Sequence, residues 1–216
     1  IDMEGGIKTE ADLVAKYRTM ALVPECDSAI EDIVNESISS NDLDAPVAIN
    51  LDRIDKMSEG IKKKVRAEFD EVLSLMGFRD MSHDIFRKWY VDGRIYYHKM
   101  VDSKNPKKGL QGLRAIDPQK IRKIREVEKK KDEKTSVEVI KNVEEYFLFN
   151  DQGFDKSGNN TGQTVRIHPD AVCHVTSGLL DYNKTIIVGY LHKAMKSVNQ
   201  LRMLEDALVI YRISRA

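Results

Sequence analysis

Two cysteines, five prolines and one tryptophan are all that this 216-residue chain has of the residue types that staple, break or anchor a small fold. Cys26 and Cys173 are too few for a disulfide framework and suit a reducing compartment with free thiols. No apolar run approaches the roughly 18 residues of a membrane-spanning helix, and the first residues lack the basic-then-apolar pattern of a secretory signal. Phosphate loops of the GxxxxGK kind, dinucleotide GxGxxG turns, HExxH and GxSxG are all missing. The histidines (His83, His98, His168, His174, His192) fall on different segments without the spacing of a zinc site. Asp155, Ser157 and Asn159 alternate as calcium ligands do, but Asn160 stands where such a loop needs Gly and Arg166 where it needs a bidentate Glu. The expectation is a protein without catalysis, metal or cofactor.

What is present is charge, unevenly placed. Apolar residues make up 41% and charged ones 32%, enough for one large domain or two small ones with a real core. The formal charge is zero, yet Ile1 to Asp55 carries a net −9 and Lys104 to Lys134 a net +7. Each block alone reads as solvated surface; together they allow copies of the chain to attract one another, or the basic block to face a polyanion.

Periodicity supplies an α+β fold, with a helical N-terminal half, a small antiparallel β meander and a long C-terminal helix. Thr9 and Asp12 form a weak capping box before a helix whose Leu13, Val14, Tyr17 and Met20 share a face. Pro24 opens a second helix with the stripe Ala29, Ile30, Ile33, Val34 and an acidic opposite face. "VAINL" alternates like a short strand, and a third helix runs from Ser58 to a cap at Gly77. "SHDIFRKWYV" predicts a fourth helix, broken at Asp92-Gly93. Its Trp89 and Tyr90, with Tyr96 and Tyr97 beyond, are expected to pack a core rather than to stack bases. "RIYYHKMVD" and "VEEYFLFND" bound the meander, with a basic hairpin projecting between Arg122 and Lys134, and two short strands flank His168-Pro169-Asp170. From about Tyr190, Leu191, Ala194, Val198, Leu201, Leu204, Leu208 and Tyr211 recur at threes and fours, predicting a helix of roughly 40 Å. No capping glycine or polar tail follows it and Ile1 is not an initiator Met, which predicts an internal piece of a longer polypeptide.

"PECDSAIEDIVNESI", "DIFRKWYVDGRIYYHKMVD", "LRAIDPQKIRKIREV", "EEYFLFN" and "SVNQLRMLEDALVIYRISRA" occur in that order, and together they resemble the portal proteins of T-even-type tailed bacteriophages over nearly the whole chain. The resemblance implies a wing region over residues 1–184 and, over 185–216, a helix entering the stem, with clip, tunnel loop and crown absent. It implies a ring of twelve copies at one capsid vertex of the virion, assembled in the host cytoplasm. That ring would pass double-stranded DNA during packaging and ejection. The implied partners are the large terminase subunit, the major capsid and scaffold proteins, and the neck and tail completion proteins. Candidate DNA-channel or inter-subunit contacts are Lys193, Lys196, Arg202, Arg212 and Arg215. The candidate subunit-interface hairpin carries Arg122, Lys123, Arg125, Lys129, Lys130 and Lys131. The alternative is a sequence-independent nucleic-acid-binding module using the basic hairpin 104–134, although that hairpin lacks the interleaved aromatics on which bases stack.

Overall fold

A computed structural model describes residues 10–38, 46–54, 56–131, 138–154, 163–182 and 186–215, with the backbone alone for 128–131 and 138–142. The helical half begins with α1 (Glu10–Met20) and α2 (Pro24–Ser37). On α1, Leu13, Val14, Tyr17 and Met20 are all buried, as the spacing predicts, while Thr9 of the expected capping box lies outside the described residues. Pro24 starts α2, where its missing N–H has no helical partner to lose, and Ile30 and Val34 face the core. Ala29 of the predicted stripe is exposed.

The predicted strand "VAINL" does not form. Residues 47–51 have no strand assignment, and only Leu51 is buried. The Asn50 side chain accepts from the Asp52 N–H at 2.9 Å, bending the chain in an Asx turn where a ladder would have continued. α3 (Glu59–Leu75) follows, with Gly77 at φ +59° just beyond it, and α4 (Phe78–Asp92) begins at once, four residues before the expected start. The apolar stripe of α3 is only half-buried, and its Ile61 is exposed.

The class is α+β as expected, but the strands divide between two antiparallel sheets instead of running on as one meander. β1 (Arg94–Val101) pairs with β2 (Leu110–Ile116) and with β6 (Val172–Thr176). β3 (Ile121–Lys131) pairs with β4 (Glu138–Asn150), which pairs with β5 (Thr164–Ile167). The strands around His168-Pro169-Asp170 thus belong to different sheets, because the 3-10 turn at 169–171 carries the chain from one to the other.

Two cores result. One packs α1, α2 and α4 around Tyr17, Ile30 and Val91, and takes in Leu191 and Val198 from the far end of the chain. The other joins the two sheets through Tyr96, Ile121, Phe147 and Val172. His174 of β6 stacks on Tyr96 there at 4.3 Å, and burial, with Arg94 and Lys123 nearby, pushes its imidazole down to about 4. Cys173 points the other way and is exposed, and Cys26 and Cys173 are both free. Trp89 and Tyr90 are half-buried and Tyr96 and Tyr97 buried, so this run does pack as core.

Candidate functional site

The end of the chain is built in two unlike parts. Residues 186–194 cross the junction of α4 and β1 as a strap, and the contact is made between backbones. Gly93 has φ +69°, and a Cβ on it would lie 2.6 Å from the Gly189 Cα. A Cβ on Gly189 would in turn meet the Tyr17 ring at 3.0 Å and the Val91 carbonyl at 3.1 Å. Only two glycines allow so close a crossing.

Polar groups secure the strap on both sides of that crossing. Arg94, 1% exposed, donates to the Ile187 carbonyl and pairs with Glu10 at 2.5 Å. Ser177 Oγ donates to the Val188 carbonyl at 2.6 Å, and the Gly189 N–H reaches Tyr17 Oη at 3.3 Å. Tyr17 Oη also meets His192 Nδ1 at 2.9 Å. Tyr190 stacks on Tyr90 with ring centroids 4.8 Å apart. A half-buried bridge ties the helical half to the β2–β3 turn: the Arg18 guanidinium grips the buried Asp92 at 2.7 and 2.9 Å and the exposed Asp117 at 3.1 Å. Burial tends to raise both carboxyls. It wins at Asp92, whereas at Asp117 hydrogen bonds from Arg18 and the Gln119 N–H hold the carboxyl below its usual value.

Beyond the strap, residues 190–194 form a 3-10 turn and α5 runs from Met195 to Arg215. The α-helix is therefore 21 residues, about 32 Å, shorter than the periodicity predicted because its first turns are wound as 3-10. Val198 is buried, but from Leu201 to Arg215 every residue is exposed. Leu201, Leu204, Leu208 and Tyr211 form one apolar stripe. Met203, Val209, Ile210 and Ile213, between 54% and 72% exposed, form a second on the opposite side.

The predicted basic residues fare differently. Lys193, Lys196, Arg202, Arg212 and Arg215 are all exposed, but the four on α5 spread around the helix and do not line one face. Arg215 lies over the Tyr211 ring at 4.7 Å. In the hairpin, Lys123 and Arg125 both pair with Glu145, at 2.7 and 3.6 Å, and Arg122 covers Phe154 at 4.2 Å. The Lys123 hydrogen bond holds the exposed Glu145 carboxyl below its usual value. Arg166 of β5 pairs with Glu144 at 2.8 Å over the Tyr146 ring. β4 therefore neutralises the described body of the hairpin, a pairing that a count of charges along the chain does not reveal. In register, Lys129, Lys130 and Lys131 face Ile140, Val139 and Glu138; their side chains, and Lys134, lie outside the described residues, as does the loop 155–162.

A cleft of about 660 Å³ between the sheets has an apolar floor of Ile116, Phe149 and Ile167, and two of its polar groups, Lys120 and Asp151, pair at 3.2 Å. Among the described residues no His, Cys, Asp or Glu side chains cluster as metal ligands, and no helix is long and apolar enough to cross a membrane.

A body with a rooted, bare shaft has relatives. Residues 10–216 match the family described as Bacteriophage T4-like portal protein (Gp20). The chain belongs to that family. It is 41% identical over 220 residues to the portal protein of Vibrio phage KVP40, with 99% of this chain and 42% of that protein covered. It is 32% identical over 226 residues to the portal protein of Salmonella phage ViI, covering all of this chain and 40% of that one. The chain thus spans about two fifths of the length of these portal relatives. Nothing in the sequence pattern marks the Arg18 bridge, Arg94 or the Gly93/Gly189 crossing. Gly93 reads as a helix breaker, and no local signal pairs it with a glycine 96 positions on.

Proposed function

We propose that this chain is the wing and the start of the stem of a portal subunit, one of a ring through which double-stranded DNA enters and leaves the capsid. The observation that carries the reading is the bare shaft. A helix with two opposite apolar stripes exposed to water is costly alone and suited to lying between neighbours on both sides. The rooted strap supports it, since a shaft that packs against other copies has to be held at a fixed angle to its own body.

On this reading the role is structural. ATP hydrolysis belongs to the terminase motor docked on the ring, and the further partners are capsid, scaffold, neck and tail proteins at the virion vertex, with assembly in the host cytoplasm. A ring of twelve is the size that the family resemblance implies. Lys193, Lys196, Arg202, Arg212 and Arg215, against Glu205 and Asp206, give the segment a net +3. That is weak enough to let a duplex slide instead of holding it, because each neutralised phosphate adds affinity. The nucleic-acid-module alternative draws less support: within 104–134 Lys120, Lys123 and Arg125 are paired with Asp151 and Glu145, and no aromatic residue interleaves the cations for bases to stack on.

The test is particle mass and electron microscopy of the full-length protein, as parent and as the double variant Leu204→Asp with Leu208→Asp. The parent should form closed rings with a central opening, and the variant should remain dissociated while keeping its helical circular dichroism. A variant that closes rings as readily as the parent would remove the shaft from the subunit contact and this reading with it.

A further inference from the structure

Unneutralised charge gathers in the described structure on two surfaces, each inside one of the oppositely charged sequence blocks and neither on the β3–β4 hairpin. The first is the outer face of α2. Glu25, Glu31, Asp32 and Glu36 are exposed there, the helix has no Lys or Arg at all, and among the described residues only its Asp27 is paired, with Arg87. Asp32 and Glu36 stand one turn apart and repel, and Glu36 occupies the last turn, where the helix dipole disfavours an anion. Of the four, only Glu25, in the first turn, is favoured by the helix dipole; the fold gains nothing from the other three.

The second is the tip of the β1–β2 hairpin. Lys104, Lys107 and Lys108 are exposed around the 3-10 turn at 106–108, Arg114 stands exposed on β2, and none has an ion-pair partner among the described residues. β1 runs eight residues from its root at α4, which sets the tip on the order of 25 Å along the strand from Arg94, and among the described residues no ion pair joins the tip lysines to α2. The two surfaces therefore do not neutralise each other within one copy. Each also carries exposed apolar groups: Met100 and Val101 at the tip, 44% and 47% exposed, and Leu22 beside α2, 79% exposed.

We infer that the acidic face of α2 in one copy seats on the lysine-bearing tip of the β1–β2 hairpin in a second copy. Two unlike, complementary surfaces on every chain suit a head-to-tail contact in which each copy uses both. The exposed apolar residues supply the dry centre that such a contact needs. A duplex would use the lysines alone and leave the repelling carboxylates of α2 without a counterpart. The inference rests on the ring reading above, and it adds which wing surfaces meet.

The experiment uses the full-length protein in three charge-reversed forms. The first carries Lys104→Glu, Lys107→Glu and Lys108→Glu; the second carries Glu31→Lys, Asp32→Lys and Glu36→Lys; the third carries all six changes. Rings are quantified by native mass measurement against protein concentration at low and high salt. Each triple variant should raise the concentration for half-assembly on the order of tenfold or more, and the six-fold variant should return it to the parent value. Rescue of this kind separates a contact between copies from simple misfolding. Rings unaffected by either triple variant, or no rescue in the combination, would overturn the inference while leaving the ring reading intact. Normal rings with lost binding of a short duplex in the lysine variant would assign the tip to nucleic acid and overturn it too. A parent that stays monomeric at every concentration would bring down the ring reading and this contact together.

Discussion

Residues 186–198 and 201–215 are continuous, carry apolar side chains at the same helical spacing, and have opposite fates. The first stretch is pinned by a glycine crossing, a buried arginine, a stacked tyrosine pair and two buried aliphatic side chains. The second is exposed at every residue, with Arg202 near its base still within electrostatic reach of Cys26 on α2. Spacing alone does not distinguish them, because a helix built to meet its own core and one built to meet another molecule obey the same 3.6-residue rule. What differs is whether the rest of the chain supplies a complementary surface, and that is decided by residues as distant as Tyr17 and Gly93.

The sharpest way to break the contrast is Gly93→Ala. The new methyl meets Gly189 backbone atoms and must adopt φ +69°, so we expect a loss of about 3 kcal/mol or more in denaturant unfolding. Leu191→Ala opens a cavity in the helical core and should cost about 2–4 kcal/mol in the same measurement.

A third test concerns the inter-sheet core. His174 takes a proton near pH 6.5 in the unfolded chain but only at about 4 when folded. Between those values the unfolded state holds more protons, so stability falls as pH falls, and above pH 6.5 the group contributes no slope. With allowance for its partial exposure, we expect His174→Phe to remove roughly 2 kcal/mol of acid sensitivity in thermal melts across that window, keeping the stack on Tyr96. The smallest effect belongs to the shaft: Leu204→Ala should change the stability of the isolated chain by no more than about 0.5 kcal/mol. A larger loss would mean that the shaft folds back on its own body.

Much of this was legible. The buried face of α1, the start of α2 at Pro24, the turn at Gly77 and the aromatic core around Tyr96 all follow from local rules. "VAINL" misled because alternation describes a strand only if a partner edge exists, and Asn50 turned the chain first. The grouping of strands into two sheets was hidden because hairpin signals fix neighbours and say nothing of what carries β2 away from β3. The basic hairpin misled for a related reason. Charge was summed along the sequence, whereas neutralisation happens across the ladder, where Glu145 faces Arg125 and its side chain reaches Lys123.

The Gly93–Gly189 crossing also bears on how force would travel. With main chain lying on main chain there is no side chain between them to bend, so that point behaves as a clamp. A tilt of α5 would have to be absorbed just past it, in the 190–194 turn, whose i→i+3 bonds yield more easily than an α-helix's. Torque on the helix would thus be released at a joint five residues long before it could reach either sheet.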